Sequence, residues 1–231
     1  MISRIKEDLL KLKNPEKAEI LSVFFKTGKG QYGEGDIFLG VNVPEQRKVA
    51  KRYLNAALKD IQRLLSSKVH EHRLTALLIL ISKYQTADAA LKKRVFDFYL
   101  KNKKYINNWD LVDISAGHII GDYLLDKNRA ILYRLAGSKQ LWERRIAIMA
   151  TFRFIKEDQF EDTLKISKAL LKDEHDLIHK AVGWMLREVG KRNKGIEEMF
   201  MQEYYKKMPR TMLRYAIERF SEAEKRFYLN K

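Results

Sequence analysis

The chain contains no cysteine. That absence excludes disulfides, thiolate metal sites and cysteine nucleophiles, and it fits a reducing cytoplasm, the compartment expected here. Proline is nearly as scarce, with only Pro15, Pro44 and Pro209 in 231 residues. Each stands where a helix could open, because proline is tolerated in the first helical turn. No apolar run approaches the roughly 18 residues of a membrane span, so no membrane partner is expected. The opening Met-Ile-Ser-Arg-Ile-Lys-Glu-Asp mixes both charge signs and lacks a secretory apolar core, so no leader is predicted. Strand-like alternation is missing as well. Acidic residues are the minority, 30 against 46 Lys and Arg, for a formal net charge of +16 and a pI near 9.8. That excess points first to a polyanion, with nucleic acid ahead of an anionic surface. The plainer alternative is a basic surface kept for solubility.

What is abundant is helix-forming: Leu, Ile, Lys, Glu, Arg and Ala. Apolar residues recur at helical spacing, as in Ile61, Leu64 and Leu65, or Leu74, Leu77, Leu78 and Ile81. Five of the eleven glycines crowd between Gly28 and Gly40, the one long segment that predicts irregular structure. It lacks the Gly-Lys-Ser/Thr ending of a phosphate-binding loop and no strand precedes it, so it reads as a loop that packs on, or touches, a ligand. A charged residue stands three before a small or apolar one at Arg73, Asp113, Arg144, Lys180 and Arg214, with intervals between 31 residues (113 to 144) and 40 residues (73 to 113). Such periods belong to paired-helix solenoids, which curve and present a concave face. An irregular helical bundle is the competing architecture.

Two tryptophans stand beside charge on predicted helices. Trp109 and Asp113, in Asn-Trp-Asp-Leu-Val-Asp, are four apart and so share a helix face. An indole face and a carboxylate both stabilise positive charge. The alternative is that Asp110 or Asp113 merely caps the helix and Trp109 is core. Trp184 follows Gly183 in Lys-Ala-Val-Gly-Trp-Met-Leu-Arg-Glu. A mid-helix glycine costs about 1 kcal/mol relative to alanine, so another backbone or a ligand is expected to approach there. Trp142 reads as structural packing. Arg145 is placed on the same concave face as the other two tryptophans, with a surface ion pair to Glu143 or Glu157 as its alternative. The C-terminal third is rich in Arg187, Lys191, Arg192, Lys194, Lys206, Lys207, Arg210, Arg214 and Arg219, interleaved with Tyr204, Tyr205 and Tyr215. That pattern fits salt-sensitive contact with a phosphate backbone. Of the five histidines, four form two pairs (His70 and His72; His175 and His179) and His118 stands apart, with no third ligand obvious, so no metal is expected. Gly-x-Ser-x-Gly is absent.

Together, Trp109-Asp-x-Val-Asp113, Trp142-x-x-Arg145-x-Ala, Lys180-Ala-x-Gly-Trp184-x-Leu-Arg187-Glu, Gly-Glu-Gly-Asp-Ile-Phe-Leu-Gly-Val with Pro44 and Arg47, and Met208-Pro-Arg-Thr-Met-Leu-Arg-Tyr-Ala-Ile-Glu218 resemble the DNA alkylation repair (AlkD-like) family of alkylpurine DNA glycosylases. The likeness runs in order over nearly the whole chain. It implies an all-α, HEAT-like helical-repeat superhelix (an α-solenoid) of one domain, residues 1–231, with a concave basic face for duplex DNA. It implies hydrolysis of the N-glycosidic bond of positively charged N3- or N7-alkylated purines, with no cofactor and no metal. By motif position Asp113 would be the catalytic carboxylate, Trp109 and Trp184 the indoles that hold the cationic nucleotide, and Arg145 a DNA contact near the lesion. Arg144, Arg187, Lys191, Arg210 and Arg214 complete the expected DNA-binding set. Family members are thought to leave the lesion largely stacked, so a shallow site is expected. The segment before Lys180 reads Leu177-Ile-His179, a departure from some members on the lesion side. The expected partner is double-stranded DNA with alkylated purines, the expected state a monomer with no obligate protein partner. A helical-repeat protein that binds damaged or branched DNA without cutting it is the rival reading, and a protein–protein scaffold is a second.

Overall fold

The computed structural model describes residues 1–230 and is all-α, with no strand among those residues beyond one isolated bridge between Ile37 and Val69. The chain divides into two compact units, Met1–Ser115 and Ala116–Lys231. The first carries α1 (Ile2–Leu10), α2 (Pro15–Phe24), α3 (Val43–Arg52), α4 (Leu58–Leu65), α5 (His70–Gln85), α6 (Ala89–Asn102) and most of α7 (Trp109–Ala116). The second begins with a π-helical turn, Gly117–Gly121, and continues through α8 (Asp122–Leu124), α9 (Ala130–Ala136), α10 (Leu141–Ala150), α11 (Phe152–Ile155), α12 (Glu161–Ala169), α13 (Asp176–Arg192), α14 (Lys194–Tyr204), α15 (Arg210–Ala216) and α16 (Glu222–Leu229). No helix among the described residues is long and apolar enough to cross a membrane.

Local chemistry explains the boundaries. Pro15 and Pro44 lie in first turns, Pro209 is an N-cap, and Asn14 and Asn42 accept backbone N–H bonds at 3.0 Å from Lys17 and Glu45. Ser221 and Glu224 close a reciprocal capping box on α16. The five repeat positions all fall on helices, at α5, α7, α10, α13 and α15.

In the first unit α5 is the central helix, packed on α3 and α4. The apolar stripe expected there is buried, but so is nearly every other α5 residue, the charged opening His70-Glu71-His72-Arg73 included. A buried charge requires partners, and the glycine-rich segment supplies them. The Glu71 carboxylate accepts the backbone N–H groups of Leu39 and Gly40, at 3.0 and 2.8 Å. Ile37 pairs its backbone N–H with Lys68 and its carbonyl with His70. The irregular segment is therefore laced onto the start of α5.

In the second unit α13 is the spine, flanked by α10, α14 and α15. Gly183 shows why no larger residue stands at its centre: a Cβ there would lie 2.4 Å from the Met212 carbonyl oxygen and 2.5 Å from the Tyr215 Cβ. The close approach expected at Gly183 is thus the backbone of α15.

Candidate active site

Trp109 opens α7, and Asp113 lies one turn further on the same face. Both are half-buried. The helix start is made by Asn108, whose side-chain oxygen accepts the Trp109 N–H at 2.8 Å. The indole lies nearly parallel on the Phe25 ring, 5.1 Å between centroids and 14° between planes, while Phe24 meets it edge-on at 5.9 Å. Such arrangements are each worth about 1 kcal/mol beyond the area they bury. Trp109 is therefore neither loose nor sunk in the core; it is laid on an aromatic shelf built from the end of α2.

The two carboxylates of α7 do different work. Asp110 is bound by His70 Nε2 at 2.7 Å and also accepts the Leu111 N–H. It is a structural acid at the helix N-terminus, where the macrodipole favours negative charge. Asp113, four residues from Trp109, is the carboxylate on the indole's own face. Its charge also helps burial raise the Tyr99 hydroxyl above its ordinary pKa, burial being the larger cause.

In the second unit Trp184 is half-buried on α13, its indole N–H donating to Glu188 at 3.0 Å and its ring 6.2 Å from Phe152. Arg145, on α10, is only 4% exposed, and its guanidinium donates to the Leu177 carbonyl at the start of α13. The Leu177-Ile-His179 segment is thus tied to α10 through Arg145, and His179 is bound to the Asp173 carbonyl. Trp142 is half-buried on the first turn of α10.

The expected DNA contacts are held variously. Arg144 pairs with Asp173 at 2.6 Å, donates to the Ser138 carbonyl, and lines a shallow hollow of about 350 Å3 with Lys172. Arg187 pairs with Glu218 and buries its Nε without a partner. Lys191 is exposed and pairs with Glu188 at 2.6 Å; Arg210 is exposed and donates to the Leu229 carbonyl; Arg214 is exposed on α15. Exposed pairs of this kind contribute roughly 0–1 kcal/mol, so a phosphate can displace the acid from Lys191 at little cost. A larger groove of about 530 Å3, between α12 and α14, contains none of the expected site residues. Among the described residues no group of three or more His, Asp or Glu side chains is placed to hold a metal ion.

What the sequence did not disclose is the layer beneath Trp109. His70, 2% exposed, sets both ring nitrogens on carboxylates, Asp110 and Asp36, the latter at 3.2 Å. Arg73 Nη2 binds the same Asp36 oxygen at 2.5 Å, and Asn108 reaches it at 3.4 Å. These residues come from the glycine-rich segment, α5 and the start of α7. The sequence traces were Arg73 as a repeat marker, the His70 and His72 pair read for metal binding, and Asp36 and Asp110 inside two of the quoted motifs, with nothing to link them.

The chain is thus an all-α, strongly basic protein with an indole and a carboxylate on one helix face. A family model described as DNA alkylation repair enzyme matches residues 5–220. The chain belongs to that family, a helical-repeat family linked to the repair of alkylated DNA. Among solved structures it is similar to one described as a predicted DNA alkylation repair enzyme from Enterococcus faecalis, at 19% identity and a TM-score of 0.70, covering 91% of this chain and 97% of that one. At that identity the likeness establishes the fold. No curated protein matches the chain in sequence.

Proposed function

We propose that this protein is a DNA glycosylase that hydrolyses the N-glycosidic bond of positively charged N3- or N7-alkylated purines in duplex DNA, the opening step of base excision repair. The observation that carries it is the placement of Asp113 one turn from Trp109 on a single face of α7, with the half-buried indole laid against Phe25. An alkylated purine already carries positive charge and leaves with little protonation. The difficult species is the oxocarbenium-like sugar, the problem glycosidases solve with carboxylates. Asp113 supplies negative charge to that cation and orients the attacking water. Trp109 and Trp184 hold the cationic nucleotide through face-on contacts worth about 0.5–2 kcal/mol each. Arg145 and Arg144, with Arg187, Lys191, Arg210 and Arg214, belong to the DNA-binding set, and the whole chain acts as one HEAT-like domain and as a monomer. No cofactor enters this scheme.

The test is base release from duplexes carrying 7-methylguanine or 3-methyladenine. Wild type should release base well above the spontaneous rate, and Asp113→Asn should fall by about 100-fold or more, the scale of losing one preorganised electrostatic group. Duplex binding without release by wild type would establish the non-catalytic rival instead. Arg210→Ala should weaken duplex binding at low salt more than it slows the single-turnover step; an unchanged dissociation constant would remove Arg210 from the interface.

A further inference from the structure

The aromatic shelf under Trp109 does not end at Phe25. Phe25 lies over Phe38 at 5.1 Å and 22°, and Phe38 lies over the His70 imidazole at 4.6 Å and 21°. His70 also meets Phe25 directly, at 5.0 Å and 38°, so Phe25, Phe38 and the imidazole form a closed three-ring cluster on which the indole rests through Phe25. The imidazole is fixed from both sides. Nε2 meets Asp110, the residue next to Trp109, and Nδ1 meets Asp36. Asp36 in turn holds Arg73 and the Asn108 amide, and Asn108 caps the Trp109 N–H. The residues on either side of Trp109 are therefore gripped by one network, and the ring is supported from below by the same network's histidine.

A neutral imidazole donates from one nitrogen only, so both carboxylate bonds can be satisfied only by the imidazolium. Two positive groups, His70 and Arg73, then face two carboxylates, Asp36 and Asp110. Arg73 Nη2 also lies 3.4 Å from the imidazole Nδ1, and Phe25 and Phe38 are the ring's aromatic neighbours. Burial acts most strongly and favours the neutral ring. The bonds to Asp110 and Asp36 outweigh it, against opposition from Arg73, so the His70 pKa stands above its ordinary value.

We propose that His70 is a positioning residue for Trp109: bridging Asp36 and Asp110 as an imidazolium and packed against both Phe25 and Phe38, it sets the height and tilt of the indole that grips the cationic nucleotide. The catalytic consequence rests on the glycosylase reading above; the structural coupling does not. Loss of the proton removes one of the two carboxylate bonds, leaves a buried carboxylate facing a ring lone pair, and lets the first turn of α7 relax. The indole contact matters most as charge develops on the sugar, so a tilted Trp109 lowers kcat more than it raises KM.

The test uses the full-length protein labelled with fluorotryptophan. Trp109 is assigned by the resonance lost in Trp109→Phe. On raising the pH from about 6 to about 10, the Trp109 fluorine signal of wild type should move in one step with a midpoint above the ordinary histidine value, while the Trp142 and Trp184 signals stay. His70→Gln should abolish the step. Asp110→Asn, which removes one carboxylate and keeps the ring, should move it to lower pH. For excision, His70→Gln should lower kcat about 10-fold with KM within about 2-fold. A Trp109 signal that ignores pH in wild type, with no variant required to fold, overturns the inference, as does a step that survives in His70→Gln. If no form of the protein releases base but the coupled step is present, the glycosylase reading fails and the coupling stands. If base is released and the Trp109 signal is indifferent to both pH and His70, the coupling fails and the glycosylase reading stands.

Discussion

The two tryptophans singled out by the sequence are held in opposite ways. Trp109 begins a helix and is fixed by side chains: a ring beneath it, a ring at its edge, and a compensated charge network whose members come from three separate segments. Trp184 stands mid-helix and is fixed by backbone: the next residue back is a glycine pressed against α15, and the indole N–H is held by a side-chain bond to Glu188. The buried ionisable groups follow the same division. In the first unit His70 is buried and paired with two carboxylates. In the second, Glu197 is 2% exposed, sits where a Cβ on Gly190 would strike it, and leaves one oxygen without a partner. A side-chain scaffold tolerates small backbone shifts and responds to protonation. A backbone scaffold is rigid and fails when volume is added.

The largest contrast should come from truncating the ring next to each indole. Phe25 is buried and touches Trp109, Phe24, Phe38 and His70. Phe25→Ala should cost about 3–4 kcal/mol and shift the Trp109 emission. Phe152 is half-buried and meets Trp184 at a tilt of 44°. Phe152→Ala should cost about 1–2 kcal/mol and leave Trp184 emission nearly unchanged. Urea unfolding with single-tryptophan variants separates the two, and equal costs would mean the shelf is not the special support described.

Adding volume should reverse the ranking. Gly183→Ala would gain about 1 kcal/mol of helix propensity in isolation. The new Cβ meets backbone of α15, which cannot rotate away as a flexible side chain could. The net expectation is a loss of about 2 kcal/mol, or roughly 4–8 °C in Tm for a chain of this size, with faster amide exchange over 210–216. A neutral or stabilised variant would show that α15 yields.

Much of this was legible beforehand, and the physical reason is locality. Helix starts at Pro15 and Pro44, the stripes of α4 and α5, and the placement of Trp109 and Asp113 on one face depend on residues within one or two turns, and a glycine in mid-helix marked the close approach at Gly183 without saying that α15 makes it. The His70 network was not legible, because Asp36, His70 and Asp110 are separated by more than thirty residues at each step and carry no periodic signal. The glycine-rich segment was read as a loop that packs on something or touches a ligand. Its anchoring by Glu71 and His70 needed coordinates, since backbone N–H groups donate to any carboxylate that reaches them. Arg145 was legible as a residue type at a position, and its near-complete burial against Leu177 was not.

The buried acids offer a smaller, pH-dependent contrast. Burial pushes the Glu197 carboxyl up to about 8, with Glu198 adding to it and Lys194 and Arg187 opposing. A raised folded pKa means that the folded chain holds the proton longer than the unfolded one. The contribution is complete below the unfolded value of 4.5 and is lost as pH rises through about 8. Glu197→Gln removes that dependence, so the variant should gain on wild type between those limits, by about 1–2 kcal/mol at the alkaline end, and then run parallel. His72 has the opposite sign. Burial lowers it to about 4, with Lys6 and Arg73 contributing, so it destabilises the fold as pH falls from 6.5 toward that value. Thermal melts across the range distinguish the two, and a Glu197→Gln curve that tracks wild type throughout would mean the carboxyl is solvated in solution.

The smallest effect should be at the side-chain bond between Trp184 and Glu188. Glu188 accepts from the indole N–H at 3.0 Å and from Lys191 at 2.6 Å. Glutamine keeps an acceptor for the indole and gives up only the ion pair with Lys191, which is partly exposed and screened by salt. Glu188→Gln should therefore change stability by less than about 0.5 kcal/mol and leave the Trp184 emission maximum in place. If Lys191 contacts phosphate, removing its acid competitor should tighten duplex binding slightly at low salt and not at high salt. A large destabilisation would place the support of Trp184 in side chains after all, and the contrast with Trp109 would then collapse from the α13 side.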